Sequence, residues 1–211
     1  MTITWLGYSC FRIQTEDAQL AIDPYDNSIG LRSPHFTADC LLLTHNHKAH
    51  ANKAAVSGDP FVIDGPGEFE VKGVMIYGIP SWHDNKGGEE RGANTMYLLQ
   101  AEGISVAHLG DIGNMLDNGQ LEKLEGVDVL MIPVGGKHTL DAEAASELIS
   151  KIEPRIVIPM HYKIPGLTVD LDPLTKFAKE LGVEETEPVD KLKLAKKDLP
   201  QDDMQVVIMK P

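Results

Sequence analysis

Three histidines within six positions, His45, His47 and His50, close the run LLLTHNHKAH from Leu41 to His50, and no other stretch of this chain is so well equipped for chemistry. The apolar residues Leu41 to Leu43 read as a buried strand running into a polar loop. In an extended segment alternate side chains face the same way, so His45 and His47 point together, and a turn after Lys48 brings His50 back toward them. Neutral imidazoles that converge on one point are transition-metal donors. Further donors sit where other apolar runs give way to loops: His83 after Ser81-Trp82, Asp111 after Leu109-Gly110, and His161 after Pro159-Met160. Five histidines and one carboxylate exceed what one tetrahedral ion takes, and they suit two ions.

A single histidine is more often solvated or structural than a ligand. His35 is therefore read as surface, and His108, inside a strand, as a buried group behind the ligands. Asp23-Pro24 ends a strand, where the aspartate either caps a turn or accepts from the second nitrogen of a metal-bound histidine. His138, after Gly135-Gly136, is a candidate for the cleft, and Trp82 is read as core.

These donors need strands to hold them. Alternation and turn residues predict strands near 3–5, 10–14 and 19–22, antiparallel because their connections are so short. A helix is expected over 51–56, strands over 61–63 and 74–79 with the GPGE turn at 65–68 between them, and a hairpin of 95–100 with 104–108. Helix and strand then alternate: helix 120–124, strand 129–132, helix 142–152, strand 156–158 and helix 173–181, followed by strand pieces at 191–194 and 205–209. The glycine-rich segment 84–94 reads as a loop beside whatever His83 binds. Strand-rich ends and an alternating second half point to an α/β fold of two sheets packed face to face with helices outside, as one domain over residues 1–211.

Composition narrows the function. The chain has 211 residues, 42% of them hydrophobic, enough for a sizeable core. No apolar run approaches the ~18 residues of a membrane span, and the N-terminus lacks a secretion signal, so no membrane partner is expected. Two cysteines, Cys10 and Cys40, in strand-like surroundings fit a reducing cytoplasm. A net charge of −13 opposes nucleic-acid binding and leaves a small molecule as the expected partner. The subunit number is open, and an oligomer is allowed.

The motifs TWLGYSCFRI, Asp23-Pro24, THNHKAH, GPGEFEVKGV, His83-Asp84, RGANTMY, HLGDIG, VLMIPVGG and IPMHY occur in an order that resembles the metallo-β-lactamase fold hydrolases. The small stand-alone branch similar to UlaG-type lactonases fits best, and the resemblance covers nearly the whole chain. It implies a four-layered αβ/βα sandwich of two mixed β-sheets with metals at one edge. It also implies His45, His47 and His83 as ligands of a first ion, and His50, Asp111 and His161 as ligands of a second, with Asp111 bridging. Asp111 and His50 are the residues it marks as catalytic. The activity implied is hydrolysis of a small ester, lactone or phosphodiester by a metal-bound hydroxide, without a protein nucleophile. Zn2+, as one or two ions, is the expected cofactor, with Mn2+, Fe2+ or Ni2+ as alternatives. Arg91 and Asn94 match an RGxN segment that could reach a substrate anion, while turn structure explains Asn94 equally well.

Two positions depart from the pattern. The histidine motif of these hydrolases has the form His-x-His-x-Asp-His, and Ala49 stands where the aspartate would be; Tyr8 stands where a histidine usually follows the glycine. The loss of that charge makes the second ion the weaker one: water, a substrate oxygen or another carboxylate such as Asp84 takes that place, or the second ion stays absent. It also raises a second reading, a metal-binding or sensing protein with little or no turnover.

Overall fold

The computed structural model describes residues 1–47, 49–184 and 186–211; Lys48, where the histidine loop was expected to turn, lies outside them. Short connections fold the first strands, β1 (Thr2–Trp5), β2 (Phe11–Gln14) and β3 (Gln19–Ile22), into an antiparallel meander. Crossovers then add strands parallel to β3. A short ladder strand β4 (Phe36–Thr37) precedes β5 (Cys40–Leu42), its parallel partner β6 (Val56–Ser57) follows, and β7 (Phe61–Ile63) pairs beside β5.

The second sheet begins with three antiparallel strands, β8 (Gly67–Val71), β9 (Val74–Trp82) and β10 (Ala93–Ala101), and continues with β11 (Ile104–His108). Next come helix α1 (Asn118–Leu124), β12 (Val129–Pro133), helix α2 (Ala142–Ile152), β13 (Ile156–Met160) and helix α3 (Leu174–Leu181). Finally β14 (Leu192–Lys193) returns to the first sheet and β15 (Gln205–Val206) to the second. The orders are β14-β1-β2-β3-β5-β7 and β15-β13-β12-β11-β10-β9-β8.

The strand directions put one edge to use. β1, β3 and β5 run the same way in one sheet, and β9, β11, β12 and β13 do so in the other. All the metal-donor candidates follow the C-terminal ends of these strands, where open sheets leave room for ligands. The sheets are tied at this edge: Thr95 N–H donates to Thr44 O (2.8 Å), and the Tyr97 hydroxyl to Leu43 O (2.9 Å) and Ile63 O (3.1 Å).

One apolar cluster fills the space between the sheets, with Ile3, Trp5, Leu20, Ile22 and Leu42 from one and Ile76, Val106, Leu130 and Ile158 from the other. β12 and β13 are buried throughout because helices cover their outer face. The α2 stripe of Ala145, Leu148, Ile149 and Ile152 has helical spacing, and Asp141 caps its start by accepting from Ala144 N–H (2.9 Å).

Over the first sheet the cover is different. Ala21, Leu41 and Leu43 face outward and pack against Val56, Phe36, Ala38 and Ala51, so the β4–β6 segment does the work of a helix there. The helix expected over 51–56 is a single 3-10 turn, Lys53–Ala55, followed by β6. Ladder pairing with β4 claims the end of that segment, against a weak helical preference. Trp82 is 44% exposed and not in the core, because burial along β9 changes phase near Tyr77-Gly78 and leaves position 82 on the outer face.

Candidate metal centre

Backbone geometry sets the donors. Tyr8, Asp23 and His161 have left-handed backbones (φ 56, 46 and 54°), and such conformations cost about 1–3 kcal/mol each away from glycine. Each lies in the turn just past a strand, and two of the turns hold each other, since His161 N–H donates to Tyr8 O (3.0 Å). Gly110 lets the end of β11 pass the histidine strand: a Cβ there would lie 2.3 Å from Asn94 Oδ1 and 2.8 Å from Thr44 Cβ. Asp111 follows it into the interior.

Asp111 is the focus. Its Oδ2 lies 3.1 Å from His50 Nε2, 3.2 Å from His161 Nε2 and 3.5 Å from His83 Nε2, while its Oδ1 accepts from the Ser9 hydroxyl (3.2 Å). The rings of His45 and His50 are 4.3 Å apart and those of His45 and His83 4.9 Å. Donor atoms fall into three groups lying within 4.8 Å of one another: His45, His83 and Asp111; His50, Asp111 and His161; and His45, His47 and His50.

The residues fit metal ions. Ligand bonds of about 2.0–2.1 Å in a tetrahedron put donors about 3.3 Å apart, which is the spacing found around Asp111 Oδ2. Although close to that oxygen, His50 Nε2 and His161 Nε2 lack hydrogen-bond alignment with it, and they are buried without a partner, as is His45 Nε2. Unpaired buried nitrogens facing one carboxylate oxygen are costly without an ion.

Neighbours also set which nitrogen is free. His50 Nδ1–H donates to Asp23 Oδ2 (3.3 Å), and His83 Nδ1–H to His138 O (3.1 Å). Asp23 also accepts from Thr44 N–H (2.8 Å) and the Thr44 hydroxyl (2.6 Å), whose oxygen in turn accepts from His45 Nδ1–H (3.0 Å). In the neutral form of all three rings Nε2 keeps its lone pair for the centre. His47 is set the other way. It is exposed, and its Nδ1 accepts from Ala49 N–H (3.3 Å).

Titration follows the same geometry. Burial pushes the His45 pKa down to about 4, and nearby His50 adds to this. Burial also lowers His83, against Asp111, and lowers His47, with help from His50. For His50 burial opposes charge, but Asp111 and then Asp23 outweigh it and lift the pKa to about 10. Burial likewise opposes ionisation of Asp111, yet His161 and His50 hold its carboxyl well below the usual range.

Other candidates stand apart from the donor cluster. Asp84 does not replace the missing aspartate: its carboxylate accepts four backbone N–H groups, from Lys86 (2.9 Å), Gly88 (2.9 Å), Glu90 (3.1 Å) and Arg91 (2.8 Å), and so ties the 84–92 loop. Asn94 has its side chain engaged within the protein. It is buried, accepting from Asp111 N–H (3.0 Å) and donating to Ser81 Oγ (2.7 Å) and Leu109 O (2.9 Å). His108 bridges Ser9 O (3.0 Å) and Gly110 N–H (3.1 Å) beneath the site.

Arg91 and His138 are exposed and line a cleft of about 810 Å³ over the donors, together with Ala49, Asp64 and Glu90. Ser9 and Thr44 escape a reading by residue type, since hydroxyls carry no metal signal. Thr44, immediately before His45, could have been found from its place beside the motif.

The profile described as the beta-lactamase superfamily domain matches residues 2–161. A UPF0173 protein of Pyrococcus furiosus is 31% identical over 206 residues, spanning 86% of this chain and 90% of its own. A UPF0173 metal-dependent hydrolase of Methanopyrus kandleri is 28% identical over 216 residues, spanning 87% and 94%. Among solved structures, a metallo-β-lactamase superfamily protein of Thermotoga maritima superposes with a TM-score of 0.81 at 35% identity, covering 99% of this chain and 97% of its own. With the fold, the donor cluster and these likenesses in agreement, this chain belongs to the metallo-β-lactamase superfamily.

Proposed function

We propose that the protein is a metal-dependent hydrolase of a small ester, lactone or phosphodiester. The observation that carries this reading is the meeting of three imidazole nitrogens on Asp111 Oδ2 at the floor of the cleft. The relative from Methanopyrus kandleri is named a metal-dependent hydrolase, which supports the reading. His45, His83 and Asp111 would hold one ion and His50, Asp111 and His161 the other, with His47 joining from the rim. Zinc suits four-coordinate imidazole–carboxylate sets, and one or two ions per chain are expected. Ions bound there supply Lewis-acid polarisation of a carbonyl or phosphoryl group and a lowered pKa for water.

The chain's own residues do the rest. Asp23 and Thr44 orient His50 and His45, and the turns at Tyr8 and His161 fix the wall of the site. Arg91 at the cleft rim offers a guanidinium to an anionic substrate group, beside Asp64 and Glu90. That rim and the net charge of −13 suit a small molecule better than a nucleic acid. Buried free thiols at Cys10 and Cys40 suit the cytoplasm. Nothing in the geometry favours a sensor without turnover.

The test is elemental analysis of protein purified without added metal, paired with assays on chromogenic phosphodiesters, lactones and esters. At least one bound transition metal per chain and turnover of one class are expected. Absence of turnover across the panel after loading with zinc, manganese, iron or nickel would refute the reading.

A further inference from the structure

Tyr8 is a buried phenol that the site, as described so far, leaves unused. It is 5% exposed and lines the cleft, with its ring tilted over His161 (centroids 4.3 Å, 37°) and over His50 (4.9 Å, 46°). Its left-handed backbone is held on its carbonyl, which accepts from His161 N–H (3.0 Å) and from Trp5 Nε1–H (3.1 Å). Among the described residues its hydroxyl has no hydrogen-bond partner.

Two other buried phenols are satisfied within the protein. Tyr25 donates to Leu6 O (2.5 Å), and Tyr97 to Leu43 O and Ile63 O. The Tyr8 phenol instead lines the cleft, and with no described residue accepting from its hydroxyl the donor is available to a ligand bound there. Strained backbone kept at such a place fits the same reading, because unusual conformations persist where the surrounding structure enforces them for function.

We propose that the Tyr8 hydroxyl donates a hydrogen bond to an anionic oxygen of the bound substrate, on the His50–His161 side of the cleft. This rests on the hydrolase reading and sharpens its substrate class to compounds that present a carboxylate or phosphoryl oxygen there. In a chain of net charge −13 such an oxygen needs local donors, and a neutral phenol supplies one without a counter-charge.

The test uses zinc-loaded protein and inorganic phosphate as the probe, with binding followed by calorimetry. Tyr8→Phe keeps the ring and removes the donor. Unchanged zinc content and a phosphate Kd raised about 10-fold or more are expected, the size of a lost hydrogen bond to a charged group. Tyr97→Phe, which also removes a buried hydroxyl, should lower the Tm and leave the Kd unchanged.

A second readout needs no variant: with tyrosine labelled at Cζ, the Tyr8 resonance should move on phosphate addition. Equal Kd values for wild type and Tyr8→Phe, no phosphate binding by wild type, or a Tyr8 resonance that stays put would each overturn the proposal. Phosphate binding that depends on Tyr8 without turnover of any substrate would instead sink the hydrolase reading alone. Turnover with equal Kd values would sink only the role of Tyr8.

Discussion

His161 directly follows β13, Asp111 lies just past β11, and His50 comes at the far end of the loop after β5; all three are buried, and they are braced by the Tyr8 carbonyl, Ser9 and Asp23. His45 and His47 stand on the loop after β5, the first half-buried and the second exposed. The side next to Ala49, where the family motif has an aspartate, is thus the more deeply buried and the more heavily braced. A missing charge weakens a site by one ligand, whereas preorganisation lowers the cost of bringing all the others together. The two effects oppose each other, and the expectation that the second ion is the weaker rests on the first alone.

The sharpest way to break the comparison is Asp111→Ala, because both halves share this carboxylate. Metal content should fall on both sides together and any hydrolysis should drop by more than ~10²-fold, beyond the loss typical of outer partners. Loss of one ion with the other retained would show that Asp111 does not bridge. Asp23→Asn strikes only the orienting group. It should weaken binding by about 10- to 100-fold, mainly at His50, as read by competition with a chelator.

A smaller effect separates the halves by pH. In metal-free protein the folded-state pKa of His50, about 10, lies above the unfolded value of about 6.5. Its contribution to stability is therefore fully present below about pH 6.5 and lost as pH rises through about 10. His45 has the opposite sign: its pKa of about 4 means that stability present above about pH 6.5 is lost as pH falls through that value. The Tm of metal-free wild type should fall on the alkaline side by about 5 °C, and His50→Gln should flatten that limb. An alkaline limb unchanged in His50→Gln would mean that the Asp23–His50–Asp111 alignment does not form in solution.

Much of this arrangement was legible in the sequence, because its signals are local. β3 and α2 fall at their expected bounds, since apolar periodicity and the Asp141 cap are written in adjacent residues. The donors followed from histidines at the ends of apolar runs. What stayed hidden depends on distant partners. Asp84 looks like a spare carboxylate until its four backbone donors are seen, and Asn94 looks like a binding residue until Asp111 N–H is found on it. The β4–β6 ladder pairs residues twenty apart, which no local pattern encodes.

Ala49→Asp tests the side with the missing charge. Ala49 is 1% exposed and lines the cleft between His47 and His50, so an aspartate there places a carboxylate in the cleft wall. It should raise the affinity for the second ion about 10-fold and shift the pH–rate profile, since the new carboxylate can take a proton from the attacking water. Unchanged stoichiometry and profile would show that position 49 takes no part in holding the ion.

The smallest effect is expected at His47, and it follows from a proton's position. His45, His50 and His83 each have Nδ1 occupied as a donor, so Nε2 is bare in the neutral ring. His47 Nδ1 instead accepts from Ala49 N–H, which places the proton on Nε2. To bind an ion through Nε2, His47 must move that proton to Nδ1 and give up the Ala49 contact; to bind through Nδ1, it must give up the same contact. Either way a neutral hydrogen bond worth about 0.5–1.5 kcal/mol offsets part of the ligand's gain. His47→Ala should therefore cost less metal affinity than His161→Ala, whose two ring nitrogens are both buried and unpartnered. The measurement is chelator competition on the two variants side by side. A greater loss in His47→Ala would mean that the loop reorganises around the ion and that the exposed histidine, not the strand-end cluster, dominates capture.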